Sequence, residues 1–537
     1  MGEIVRTERA ALVNDEAAGQ ADLSQSRLTL TWLSSGPALS ASAGAGIAIL
    51  LTARAVLPIS WACVAAMAVM WTVAGVFALL QPRAVRIVCL NLFAFSFAIN
   101  ALALLALTVW STRSGGPFLG PDSSMFLRGA KDLAQRAFHL HTGAEAFFGT
   151  YNVSQFYLFG AAIRWLHADL FALQTLNVGF VALVAPLTFA VARHVARPFE
   201  RIAALVAALN PSIVVLAAVD LLKDPSIIAA TLAALWAVFE VVRSPRLRQA
   251  VAIAALSVVP LLYLRTGRFF VFTYLEAAAA VAGLWVLIRC RRVPVQSAIR
   301  AGVLAGAFLA AEAIPFYGGW PLSAGIFVLE ARVATSPDLQ LARQLPANAS
   351  GVWSVSEAPV LRVASAESDF SLHTTLIEEA RSRFGASAAH ALSLVLNVGR
   401  RFLGPFPWVA PKRLDLAYLQ ANAFLMYPGV LCWYALLPLI VAGWLSVTRR
   451  LGQYATASFD LAFLWIFTAI YVAPYVLLDF NYLPYRQRDA IIPILVVVGF
   501  AGAGRSNVRL KYWYAALTVL LAAVAVFHVV ARGWLGG

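Results

Sequence analysis

Asp122 stands in the stretch Gly115-Gly116-Pro117-Phe118-Leu119-Gly120-Pro121-Asp122-Ser123-Ser124, a Gly/Pro turn that delivers a carboxylate to the start of a helix. A carboxylate so placed can take a proton from a nucleophilic hydroxyl, or it can cap the helix, with Ser123 and Ser124 as rival caps; one residue can do both. Asp224 lies in Lys223-Asp224-Pro225. The proline suits the first turn of a helix and Asp224 reads as its N-cap, while Lys223 can neutralise a phosphate or simply pair with Asp224. Arg265 and Arg268 are three residues apart, and Arg486 and Arg488 two. Such spacings can hold phosphate oxygens between guanidinium forks, although arginines near a membrane also snorkel to lipid headgroups. Taken together, these residue types suit displacement of a phosphate by a hydroxyl: a carboxylate activates the nucleophile and cations stabilise the departing negative charge.

Other constellations are weaker. His139 and His141 lie near Glu145, but no third ligand follows at a diagnostic spacing, so no metal site is expected. Cys63, Cys89, Cys290 and Cys432 sit in or beside apolar runs with neither CxxC nor CxxH spacing, which argues against a disulfide framework or a zinc site. Asn348-Ala349-Ser350 matches a glycosylation sequon once in a long loop. Trp110, Trp408, Trp433 and Tyr434 near span ends read as an aromatic belt.

These side chains must be positioned by a chain of 537 residues that is 61% hydrophobic and 12% charged, with a mean hydropathy of +0.77. Apolar runs long enough to cross a ~30 Å hydrocarbon core recur along it, so the expected fold class is an all-α polytopic membrane protein. About thirteen spans are expected, near 37–53, 57–80, 87–110, 170–192, 202–220, 225–242, 250–264, 270–289, 301–319, 424–446, 458–478, 489–503 and 512–531. The formal charge of +15 does not call for nucleic acid, because basic loops orient any multispanning chain. The basic clusters at Arg83/Arg86, Arg193/Arg197/Arg201, Arg243/Arg246/Arg248, Arg289/Arg291/Arg292/Arg300, Arg449/Arg450 and Arg505/Arg509/Lys511 all fall on one side if the N-terminus is cytoplasmic. Residues 1–34 are polar, lack a secretory signal and read as a cytoplasmic tail.

The alternation holds only if 151–168 makes no simple crossing; it is therefore read as a re-entrant or interfacial segment carrying Arg164, His167 and Asp169. The extracytoplasmic side then receives 112–150, Lys223-Asp224, Arg265 to Arg268, a long loop from 320 to 423, and 479–489. Ahead of 151–168, Phe126, Ala130, Leu133 and Ala137 recur at helical spacing while Arg128, Lys131, Asp132 and Arg136 point elsewhere, so an amphipathic helix beginning near Asp122 can lie along the membrane surface. The long loop is too large for a connector and holds two expected helices, Leu372 to Phe384 and Ala389 to Phe402.

Asp122 with its interfacial helix, Tyr157-Leu158-Phe159-Gly160, Leu176-Asn177, Ala192-Arg193, Asn210-Pro211 and Leu222-Lys223-Asp224 together resemble the GT-C superfamily of membrane glycosyltransferases. The nearest likeness is to bacterial relatives of protein mannosyltransferases and aminoarabinose transferases, glycosyltransferase family 39, over residues 115 to 226. The resemblance implies a polyprenyl-phosphate-linked sugar donor, an extracytoplasmic glycan, lipid or protein acceptor, inversion at the anomeric carbon and a bacterial inner membrane. It implies that Asp122 is the catalytic carboxylate and Asp224 a second catalytic acid; independently of it, the stabilisation that a departing phosphate needs puts Lys223, Arg265, Arg268, Arg486 and Arg488 on the donor phosphate. The family often has two adjacent acids in the first loop where Pro121-Asp122-Ser123 has one, which leaves a divalent metal open; no cofactor is otherwise expected. On this reading 35–319 is a GT-C-like transmembrane core with its first catalytic loop at 112–150, 320–423 an extracytoplasmic loop domain, and 424–537 a C-terminal transmembrane bundle.

Two other functions compete. Gly404-Pro405-Phe406-Pro407-Trp408, Trp433-Tyr434 and Asn481 to Arg488 resemble membrane proteins of exopolysaccharide and O-antigen clusters, implying a polymerase that uses lipid-pyrophosphate oligosaccharides. A transporter or flippase would use intramembrane charges, for which Glu240, Glu276, Glu312 and Asp460 are the acidic candidates; no repeat between the halves supports it.

Overall fold

The computed structural model describes residues 30–113, 121–135, 144–218, 221–289, 295–317, 376–404, 417–451, 459–477, 490–503 and 510–535. Arg486, Arg488, His139, His141, Cys290, Asn348, Trp408, the N-terminal tail to residue 29 and most of the long loop lie outside the described residues.

Every regular element among the described residues is helical. The longer helices are α1 (Gly36–Val56), α2 (Ala62–Leu80), α3 (Arg86–Arg113), α4 (Pro121–Gln135), α5 (Ala144–Leu166), α6 (Leu170–Val195), α7 (Glu200–Ala208), α8 (Pro211–Ala218), α9 (Asp224–Arg243), α10 (Leu247–Gly267), α11 (Phe269–Arg289), α12 (Val295–Tyr317), α13 (Ala386–Leu403), α14 (Ala417–Leu451), α15 (Phe459–Leu477), α16 (Ile492–Ala503) and α17 (Leu510–Leu535). Helices satisfy their own backbone groups, which is what a chain this apolar requires in hydrocarbon. Eight of them contain stretches long and apolar enough to cross a membrane: Gly36–Val56, Ala62–Leu80, Arg83–Arg113, Leu170–Val195, Asp224–Arg243, Leu247–Gly267, Tyr427–Arg449 and Leu510–Phe527. This architecture fits a polytopic membrane protein.

α6 is the hub. It packs against α2, α3, α7, α8, α9 and α16, and 94% of its most apolar stretch is buried, against 6% for α17, which flanks α14. A helix apolar all round is either a core helix or a lipid-facing one, and these two take the opposite roles. Exposed Leu79, Val519, Val526 and Val529 would be a liability in water and suit contact with acyl chains. Small residues let backbones meet. A Cβ on Gly443 of α14 would lie 2.4 Å from the Gly499 carbonyl oxygen of α16, and one on Gly502 would lie 2.1 Å from that of Gly443.

Three sequence expectations are revised. The expected span 202–220 is two short helices, α7 and α8, broken at Leu209-Asn210: Pro211 has no N–H to continue a ladder, and Asn210 Oδ1 accepts the Ser212 N–H at 3.0 Å to start a new helix. The spans near 270–289, 458–478 and 489–503 correspond to shorter apolar helical stretches, Phe269–Trp285, Phe459–Ala473 and Ile492–Ala503. Residues 151–166, expected to make no simple crossing, are the continuous C-terminal part of α5, which packs along α4 and α10 and is not among the stretches long and apolar enough to span. Its Arg164 donates to the Ala134 carbonyl at 2.9 Å, a cation at the C-terminal end of α4, and the chain then turns at His167 (φ 52°). Trp433 is fully buried; its indole N–H donates to the Phe402 carbonyl and Tyr434 O–H to that of Leu403, both at 2.5 Å. These two rings tie α14 to the end of α13 and are not an interfacial belt. The expected helices at 389–402 and at the end of 372–384 are present as α13 and as residues 376–384.

Candidate functional site

The amphipathic helix expected after the Gly/Pro turn is α4, with Pro121 first and Asp122 second. Its apolar face is as the spacing required: Phe126, Ala130 and Leu133 are buried and Lys131 is exposed. What covers that face is protein. The Phe126 and Phe156 rings lie 5.8 Å apart, and a Cβ on Gly129 would come within 2.5 Å of the Phe156 ring, so α4 sits close against α5.

The start of α4 is fastened to the second acidic position. The Leu221 N–H donates to Ser123 Oγ at 2.9 Å, with Ser123 fully buried, so Asp122's neighbour touches a residue three before Asp224. The turn into α9 is held from a third side by α6, where Asn177 Nδ2 donates to the Leu222 carbonyl at 2.8 Å.

Asp224 is the first residue of α9, not its cap, and is 1% exposed. Its Oδ1 accepts from Arg268 Nη1 at 3.3 Å, and a carboxylate in a first turn is also favoured by the helix dipole. Lys223 Nζ donates at 3.2 Å to the carbonyl of Gly267, the last residue of α10. Beneath this turn, the Tyr263 O–H donates to Gln155 Oε1 and the Ser226 O–H to the Lys223 carbonyl, each at 2.7 Å, with the two hydroxyl oxygens 2.7 Å apart. Ser154 Oγ donates to the Tyr263 carbonyl at 3.0 Å. The sequence reading overlooked this network, although Gln155 and Asn177 were visible as amides inside apolar runs, where buried polar groups need partners.

Arg265 and Arg268 do not act as a fork. Arg265 Nε meets Glu312 Oε2 of α12 at 2.7 Å and its guanidinium lies 4.6 Å from the Phe269 ring, while Arg268 turns to Asp224. Glu276, two turns into α11, has no hydrogen bond or ion pair among the described residues. Lys223, Asp224, Arg265, Arg268 and Glu312 gather where α9, α10, α11 and α12 meet.

Glu200, Glu240 and Asp460 belong to the other end of the bundle. His194 Nε2 lies 3.3 Å from Glu240 Oε1 and His194 Nδ1 3.6 Å from Asp460 Oδ2, while Arg243 pairs with Asp460 and Arg193 with Glu200 at 3.7 Å. Glu240 and Asp460 are thereby tied into an ion network joining α6, α9 and α15. Among the described residues no group of three His, Cys, Asp or Glu is placed to hold a metal ion, and Cys63, Cys89 and Cys432 are free thiols.

Comparison with family models, with curated proteins and with solved structures finds no match to this chain.

Proposed function

We propose that this chain is an integral-membrane glycosyltransferase of GT-C type, moving a sugar from a polyprenyl-phosphate donor to a glycan, lipid or protein acceptor on the extracytoplasmic face of a bacterial inner membrane. The reading rests on one observation: Ser123 joins the helix that begins at Pro121-Asp122 to the turn that carries Lys223 and Asp224, beside Arg268. The helix that begins at Pro121-Asp122 and the turn that carries Lys223 thus come from segments about a hundred residues apart and adjoin at one end of the bundle. In this proposal Asp122 is the base, and Lys223 and Arg268 stabilise the leaving phosphate. Asp224, too buried to meet substrate, positions Arg268. The same proposal includes thirteen crossings with a cytoplasmic N-terminus, residues 202–218 of the broken pair α7–α8 serving as one of them.

The test is transfer from a radiolabelled polyprenyl-phosphate sugar pool in membranes holding matched amounts of wild type or Asp122→Asn. Asparagine keeps the shape and much of the capping capacity but cannot accept the proton, so transfer should fall by about 100-fold or more. Undiminished transfer would reduce Asp122 to a helix residue. No transfer by wild type, with activity instead on lipid-pyrophosphate oligosaccharides, would make the chain a polymerase.

A transporter is favoured by a different observation, the break at Leu209-Asn210 next to the hub helix, since transporters build sites from discontinuous helices. In that case a Glu276→Gln variant would lose substrate uptake in proteoliposomes. The glycosyltransferase reading expects no uptake by wild type.

A further inference from the structure

Between α3 and α6, at the end of the bundle that carries Asp224, lies a cavity of about 390 Å³. Pro58 and Ile59 of the α1–α2 turn wall it on one side and Ala218, the last residue of α8, on another; Leu107, Leu170 and Phe171 complete the apolar lining. The volume is within the range of small-molecule sites, roughly 300–1,000 Å³. Its polar lining is Thr108, Ser111, Asp169 and Gln174.

Accounting for each polar group defines what would fit. Thr108 Oγ1 donates to the Leu104 carbonyl at 2.8 Å and Ser111 Oγ to the Thr108 carbonyl at 2.9 Å, so both hydroxyl protons are used within α3 and oxygen lone pairs remain. Asp169 accepts the Ala172 N–H at 2.8 Å on Oδ1 and the Ser60 N–H at 2.6 Å on Oδ2. Gln174 differs: it is 7% exposed, lines the cavity and has no hydrogen-bond partner among the described residues. Its amide atoms are not sealed in the protein but reach the cavity, so their hydrogen-bond partner is whatever fills it.

We propose that the cavity binds the hydroxyl end of a neutral lipid alcohol. A hydroxyl accepts from the Gln174 amide and donates to one of the surrounding oxygens, while an alkyl or prenyl chain lies against Leu107, Leu170, Phe171 and Ile59. Among the described residues no Lys or Arg lines the cavity and its one acidic side chain is Asp169, so a phosphate headgroup is disfavoured there and belongs with Lys223 and Arg268. The two places adjoin: Asn177, one helical turn beyond Gln174, holds the Leu222 carbonyl of the candidate site. That the bound hydroxyl is the sugar acceptor rests on the glycosyltransferase reading; that it binds does not.

The test uses wild-type protein in phosphatidylcholine nanodiscs, a diazirine derivative of decanol as probe, and mass spectrometry to locate the label, with no sugar donor present. Label is expected in the peptides holding 107–111 and 169–174, displaced by unlabelled decanol and by decyl glucoside but not by decane or decyl phosphate. Gln174→Leu, close in size and apolar, should lower this labelling by about tenfold in protein that elutes like wild type. Ser111→Phe, which fills the volume, should abolish it. Equal labelling of Gln174→Leu, equal displacement by decane or decyl phosphate, or no label at these peptides in wild type would each overturn the proposal. Specific labelling without sugar transfer would leave the lipid-alcohol site standing and remove only the acceptor assignment.

Discussion

Replacing Asp224 tests whether the candidate site is organised by a buried ion pair. Asp224 is 1% exposed and its Oδ1 lies 3.3 Å from Arg268 Nη1, whose side chain is 16% exposed. At that separation the attraction between unit charges is about 5 kcal/mol for an effective dielectric constant of about 20. Much of it offsets the cost of taking both groups out of water, so the pair adds little net stability, yet removing one partner takes from the other its close opposite charge. Asp224→Ala should therefore destabilise the bundle by about 3–5 kcal/mol, as should Arg268→Leu. The double variant should lose less than the sum of the two, with a coupling of about 2–3 kcal/mol. The assay is unfolding by SDS in mixed micelles, followed by tryptophan fluorescence, for wild type, both single variants and the double. Coupling below about 0.5 kcal/mol, the additivity seen for independent sites, would refute the argument that Asp224 acts through Arg268.

Three further outcomes follow from close contacts and burial. Gly443→Ala and Gly502→Ala each place a methyl group within 2.4 Å of a backbone carbonyl across the α14–α16 crossing, where no side chain can turn aside; each should cost at least the usual overpacking penalty of about 1–3 kcal/mol in the same unfolding assay, and near-neutral variants would show the crossing to be loose. Gly129→Ala should loosen α4 by a similar amount through the Phe156 ring, and Phe156→Leu in the same chain should recover part of the loss; failure of that rescue would put the strain elsewhere. At the other end of the bundle, burial pushes the Glu200 carboxyl above the usual carboxylate range while Arg193 pulls it back. The native state therefore keeps a proton that the unfolded chain has released, so this residue's contribution to stability should fall as pH rises from the ordinary carboxylate value through the raised one. Glu200→Gln should flatten that part of the pH–stability curve, and an unchanged slope would count against it.

Much of the fold was legible because hydropathy reports the environment each helix occupies. The apolar runs identify a membrane architecture, the i, i+4, i+7 spacing of Phe126, Ala130 and Leu133 picks out the buried face of α4, and Pro121, Pro211 and Pro225 mark helix starts through a missing N–H. The break between α7 and α8 was also available at Asn210-Pro211, but an apolar run on either side outweighed it. Of the candidate site, the sequence picked out segments that adjoin: that of Ser123 beside Asp122 with the turn before Asp224, and Asp224 with Arg268.

Partnership was not legible. Hydropathy says that a residue is buried, whereas its neighbour depends on how helices cross, and those crossings are set by contacts such as Gly443 on Gly499 and Gly129 on Phe156. Sequence spacing made Arg265 and Arg268 a pair; the fold separated them, sending one to Glu312, 47 residues on, and the other to Asp224, 44 residues back. Asp224 read as a cap because local geometry permits it, and became an ion-pair partner because α10 ends beside the start of α9. The sequence by itself determined the solvent this chain is built for and the ends of most of its helices. Only the tertiary structure decided which charges neutralise one another, and it left the Gln174 amide facing an open cavity, because both follow from distances between segments that no local pattern encodes.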